Sequence, residues 1–133
     1  RRPAAMSKYQ DRAMELRHDP TVHYNCAQVI LMSLHESLGI SEEQAKDLGT
    51  LFAGGMYCGA TCGAITGALM ALGLAGQKDP AGRELITEFQ GRYGARDCAP
   101  LLAGAEERGE NKHEVCNTMI CDAMAMAEEV LGL

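Results

Sequence analysis

The sequence predicts an all-α fold, because apolar residues recur at intervals of three and four along its length and no stretch alternates with period two over a strand's length. Cap residues stand at nearly every break in that pattern. At 133 residues the chain can bury one hydrophobic core but not two, so residues 1–133 read as a single domain. Its 47% apolar content is enough for burial to offset the entropy of ordering the chain. The expected architecture is a compact bundle of about six helices around a buried central helix rich in Gly, Ala and Cys.

The first helix is expected over residues 4–17, ending near Asp19-Pro20, with residues 1–5 read as an expression remnant rather than a secretion signal because no apolar run follows. A second spans 22–38 and closes on Gly39 as a left-handed cap. Ser41-Glu42-Glu43-Gln44 is a capping box that opens a third toward Leu51. Gly54-Gly55 breaks the chain before the central helix, expected from near Cys58 to residues 73–76. Asp79-Pro80 supplies an N-cap and a proline at the first helical position for a helix that reaches Tyr93 and stops at Gly94. Asp97 caps a short turn over 98–102, a loop follows over 104–109, and the last helix covers 111–131.

Charge and hydropathy exclude several function classes. With 18 acidic against 12 basic side chains and a formal charge of −6, the chain has no basic run able to neutralise several phosphates, so no nucleic-acid partner is expected. Residues 48–77 contain no charged side chain, and 58–76 are long enough to span a bilayer. Gly and Ala dominate there, however, and every other segment is amphipathic, so a helix buried in protein is expected and not a membrane span.

Six cysteines accompany four histidines and no tryptophan. Cytoplasmic placement is expected, and there thiols are kept reduced, so metal, iron–sulfur or redox use explains the count better than structural disulfides. Helical geometry sorts the six. Cys26 falls with Val22, Val29, Ile30 and Ser33 and faces inward; Cys116 shares an arc with Met119, Ile120, Ala123, Ala127 and Val130. Cys121 lies on the side of Asn117 and Glu128, which predicts exposure. Cys58 and Cys62, four apart, stack on one helical face too far apart for an unstrained disulfide but suited to a shared metal, unless Cys58 belongs to the preceding loop. Gly59, Gly63 and Gly67 form a ridge that admits a neighbouring backbone. Cys98 opens a short helix, where unpaired amides favour a thiolate, and is the expected nucleophile.

Other signals are weaker. His23 and His113 each precede a cysteine by three residues and are secondary ligand candidates. Met124 and Met126 read as core filler, as do most of the eight methionines. There is no CxxC motif and no CxxCH, hence no haem expected.

These segments together resemble the redox-active family named after its motif string, C_GCAxxG_C_C. Tyr24-Asn25-Cys26-Ala27-Gln28 is similar to its first cysteine segment. Gly54-Gly55-Met56 through Cys62-Gly63-Ala64-Ile65-Thr66-Gly67-Ala68 is similar to its glycine-rich core, reading CGAITG where the family name has GCAxxG. Residues 89–98, with Tyr93-Gly94 between, resemble the third segment, and Cys116 leading into Glu128-Glu129-Val130-Leu131 the fourth. The resemblance implies that the four family cysteines are Cys26, Cys62, Cys98 and Cys116, with Cys58 as an extra at the edge. It also implies a redox role and kinship to a module of split-Soret cytochromes, where an iron–sulfur site is expected, this chain being a haem-free version.

The expected function is therefore a cysteine redox protein. Cys26, Cys62, Cys98 and Cys116 would converge to bind an iron–sulfur cluster or other thiophilic metal, or cycle as dithiol and disulfide with Cys98 and Cys62 as the reacting thiols. Its expected partner is an unspecified redox protein, and a homodimer is allowed. From a different class, a helical protein-interaction module with purely structural cysteines is the alternative; tolerance of Cys→Ser changes at the four positions would single it out.

Overall fold

The computed structural model describes residues 6–133; the helix start expected at Ala4 and the remnant expected at 1–5 lie outside the described residues. Short polar side chains set the first three helix starts. Ser7, Asn25 and Ser41 each accept the amide three residues on, and Gln10, Gln28 and Gln44 accept the cap's own amide in return. So α1 (Lys8–Arg17), α2 (Cys26–Leu38) and α3 (Glu42–Gly49) open on reciprocal capping boxes, and Gly39 closes α2 in the left-handed region at φ 73°. The described residues continue with α4 (Gly63–Leu74), α5 (Asp79–Tyr93), α6 (Cys98–Glu107) and α7 (Lys112–Leu131). The fold is all-helical, as expected, with seven α-helices and one π-type turn among the described residues.

Four local expectations are corrected. The central helix α4 begins at Gly63, not Cys58, because Cys58 (φ −134°, ψ 16°) and Ala60 (φ −80°, ψ −146°) are off helical values and Gly59 is left-handed at φ 71°; Gly54, Gly55, Met56 and Tyr57 before them are left-handed too (φ 57°, 63°, 60° and 63°). A π-type turn, Gly55–Gly59, forms instead, with the Ala60 amide donating to the Gly55 carbonyl at 2.9 Å. Helix α2 starts at Cys26, four residues later than expected, because Asn25 takes the cap. In α5 it is Lys78 that occupies the cap and Asp79 the first helical position; Pro80 still falls among amides that have no helical partner, so its missing N–H costs nothing. The expected 104–109 loop is helical as far as Glu107, since burial of Leu101 and Ala105 outweighs the roughly 1 kcal/mol that Gly104 costs in a helix.

Helices α2 and α4 meet at the centre. Val29, Ile30, Leu31 and Leu34 of α2, with Ala64, Ile65, Ala68 and Ala71 of α4, are fully buried. The glycine ridge brings the two backbones together: a Cβ on Gly63 would stand 3.1 Å from that of Cys26, and one on Gly67 3.0 Å from Ala27 Cα. Gly59 lies outside α4 and packs instead against Ala99. Helix α7 lines α4 through residues such as Met119, Ile120 and Ala123, α1 and α3 cover α2, and α5 adds Leu85 and Phe89. Tyr93 ends α5 by donating its hydroxyl to Asp122 of α7. Among the described residues no helix is long and apolar enough to cross a membrane.

Candidate functional site

Four cysteines stand near four helix starts. Cys26 is the first residue of α2, Cys62 the cap of α4 and Cys98 the first residue of α6, while Cys116 follows in the second turn of α7. Amides without helical partners and the positive end of the helix dipole favour negative charge at the first three. Two of the starts are tied together by an antiparallel bridge between Thr61 and Asp97, in which the Cys62 amide donates to Arg96 O at 2.9 Å and the Cys98 amide to Ala60 O at 2.6 Å. Gly63 holds the start of α4 against that of α2.

As a result Cys26, Cys62, Cys98 and Cys116 line one cavity of about 30 Å³, roofed by Phe52, Leu101 and Met119 and by the left-handed turn at Gly54 and Gly55. That is room for about one water. Gly55 is required there, since a Cβ would collide with the Ala60 backbone.

The cavity sorts its thiols by charge. The Cys26 thiol interacts with Cys116 as a hydrogen-bond partner, which, against the opposing effect of burial and with help from the Arg17 guanidinium, lowers Cys116 to about 7. Cys26 is pushed up by the same bond, by burial and by its sulfur neighbours. Burial raises Cys62 to about 11 despite the Ala64 and Ile65 amides, and it raises Cys98 too, with a contribution from Cys116. A single thiolate, on Cys116, is the state this arrangement favours.

Arg17 is the residue beside the thiols that the sequence reading missed. It is 8% exposed and donates from Nε to Asn117 Oδ1 at 2.7 Å, from Nη1 to Tyr24 O at 3.0 Å and from Nη2 to His113 Nδ1 at 3.1 Å. Its signal in the sequence is only that of a basic residue in a helix's last turn.

The other candidates fall elsewhere. Cys58 is exposed in the π-type turn, its Sγ 3.5 Å from Gly55 O, and does not line the cavity. Cys62 is buried as expected, whereas Cys26 and Cys116 are half-buried. Cys121, expected to be exposed, is buried at 4% because α1 covers that side of α7: Gln10 donates to Cys121 O, Ser7 to Glu128 and Arg17 to Asn117. His23 and His113 sit outside the cavity with ring centroids 6.2 Å apart. Met124 and Met126 are buried in the core.

Four thiols are the donor type that thiophilic metals take. Among the described residues, however, no three His, Cys, Asp or Glu side chains form a group able to hold a metal ion, so the sulfurs would have to draw together around one.

Fold and site thus define an all-helical protein with a thiol centre built at converging helix starts. Residues 24–130 match the profile of the family described as "Putative redox-active protein (C_GCAxxG_C_C)", and the chain belongs to that family. No curated protein and no solved structure matches it.

Proposed function

We propose that the chain is a thiol redox protein in which Cys26 and Cys116 cycle between dithiol and disulfide, Cys116 attacking and Cys62 and Cys98 completing the cavity. The observation that carries this reading is the convergence of all four family cysteines on one cavity, where Cys26 is the main influence that lowers Cys116. The thiolate is the nucleophile in disulfide exchange, and an attacking thiol with a pKa near ambient pH reacts fastest. Cys116, at about 7, fits that role better than Cys98, which burial holds protonated.

In the forward direction the Cys116 thiolate attacks a substrate disulfide, forming a mixed disulfide and releasing one substrate thiolate. Cys26 then gives its proton to solvent, attacks Cys116 Sγ and expels the second substrate thiolate. Two electrons pass from the cysteine pair to the substrate, whose thiolates take up protons. The reducing cytoplasm is the proposed compartment, and an unspecified redox protein or small thiol would regenerate the pair.

A second reading has the same four cysteines hold an iron–sulfur cluster or other thiophilic metal, which when bound would supply electron transfer; the donor set favours it. Anaerobic purification, metal and sulfide analysis, and thiol counting across a series of redox buffers separate the two. The expected result is a colourless, metal-free protein that loses two of its six titratable thiols on oxidation, with Cys26 joined to Cys116 in the peptide map. Stoichiometric iron and sulfide with the four thiols protected would establish the second reading. Six thiols that stay free throughout, in a metal-free protein, would overturn both.

A further inference from the structure

Outside the thiol cavity lies an open groove of about 540 Å³, a size suited to a small molecule. Cys26, Cys98 and Cys116 reach it, and so do Arg17, His23, Lys112 and His113. No Asp or Glu is among the described residues that line it, although acidic side chains outnumber basic ones 18 to 12 in the chain as a whole. The acceptors that hold Arg17 are all uncharged, and among the described residues no carboxylate forms an ion pair with it. A buried cation without a carboxylate partner is costly; the Cys116 thiolate offsets part of that cost, and an anion in the groove would offset more. Lys112 is exposed and only loosely paired, 3.7 Å from Glu106.

His113 registers the same field. Because His113 Nδ1 accepts from Arg17, the ring cannot take a second proton there without losing that bond. Burial, followed by Arg17, His23 and His18, holds His113 below its ordinary range, with Glu114 opposing as the weakest influence. Positive charge is therefore concentrated at the mouth of the thiol site on a molecule of formal charge −6.

We propose that this groove is the substrate side of the thiol site and takes a small anionic thiol or disulfide, its carboxylate or other oxyanion group seated among Arg17, His23, Lys112 and His113 with its sulfur toward Cys116. The sulfur half of the proposal rests on the thiol-redox reading; the anion half rests on the groove alone.

Iodoacetate and iodoacetamide test it, because both alkylate a thiolate by displacing iodide and differ in charge. The thiolate fraction cancels in the ratio of their rates, so that ratio, read by peptide mass spectrometry near pH 7, reports the local potential. With exposed Cys58 as internal reference, the iodoacetate-to-iodoacetamide ratio at Cys116 should be at least about tenfold higher than at Cys58. It should fall several-fold in roughly 0.5 M salt, which shortens the Debye length to about half that at physiological strength. Lys112→Glu combined with His23→Glu, at two exposed positions, should bring it down to the Cys58 value or below. A ratio equal to that at Cys58, or one unchanged in the double variant, overturns the anion site and leaves the redox reading standing. If neither reagent modifies Cys116, both are overturned.

Discussion

Cys116 shows how far a residue's chemistry is set by what reaches it. Its neighbours Cys26 and Arg17 come from α2 and α1, and together they outweigh the burial that raises Cys62 and Cys98. Reaction of Cys116 with a neutral alkylating agent is accordingly expected to reach half its maximal rate near pH 7, since the thiolate is populated above that value. Cys26→Ala removes the largest cause of the lowering, so the midpoint should move upward and the rate at pH 7 fall several-fold; a pH–rate profile by mass spectrometry reads both. Burial governs the other thiols. In the folded protein Cys58 and Cys116 should label well before Cys62 and Cys121, and an early-labelling Cys121 would show that α1 does not cover it.

Among the elements, α4 depends on the absence of side chains where it crosses α2. Leu at Gly63 or Gly67 would have to displace the α2 backbone, and each substitution is expected to cost at least about 1–3 kcal/mol, visible as a lowered melting midpoint. Gly91, an exposed position inside α5 with nothing near its Cβ site, makes the contrast: Gly91→Ala should stabilise by about 0.5–1 kcal/mol. The turn before α4 is under the opposite strain, because Tyr57 holds φ 63° with a side chain attached. Tyr57→Gly is expected to raise stability by about 1 kcal/mol even though it removes a long 3.4 Å contact from the hydroxyl to Thr50 O. The elements were legible where local chemistry decides them. Capping residues and glycine stops marked α3, the ends of α2 and α5, and the start of α6. The left-handed run was not legible beyond Gly54-Gly55, since nothing local requires Met56 and Tyr57 to follow the glycines into that region.

At the scale of the molecule, the thiol centre joins parts of the chain that are far apart in sequence. A disulfide between Cys26 and Cys116 would close a loop of about 90 residues, so oxidation is expected to stabilise the fold by up to about 4.6 kcal/mol through the unfolded state. Denaturant titrations of reduced and oxidised protein should therefore differ, and the difference should vanish in Cys26→Ser and Cys116→Ser variants. The groove adds an uneven charge distribution: a basic mouth on a net acidic molecule, created because α1 and α7 bring Arg17 beside Lys112 and His113.

By itself the sequence determined the helical class, most of the caps, the close-packing glycines Gly63 and Gly67 of α4, and which four cysteines match the family pattern. All of these depend on neighbours within a turn or two, or on residue type at a given spacing. Tertiary structure decided the rest. Cys121 is buried and Arg17 matters because α1 lies across the polar side of α7, and a hydrophobic arc drawn on one helix carries no information about a second helix that covers its opposite face. Cys58 departs from Cys62 because the left-handed residues 54–57 and Gly59 leave it in a π-type turn outside α4, whereas Cys62 caps that helix. The charge on Cys116 belongs to no single segment: it arises where α1, α2 and α7 meet, through interactions that act across space between residues up to about a hundred positions apart.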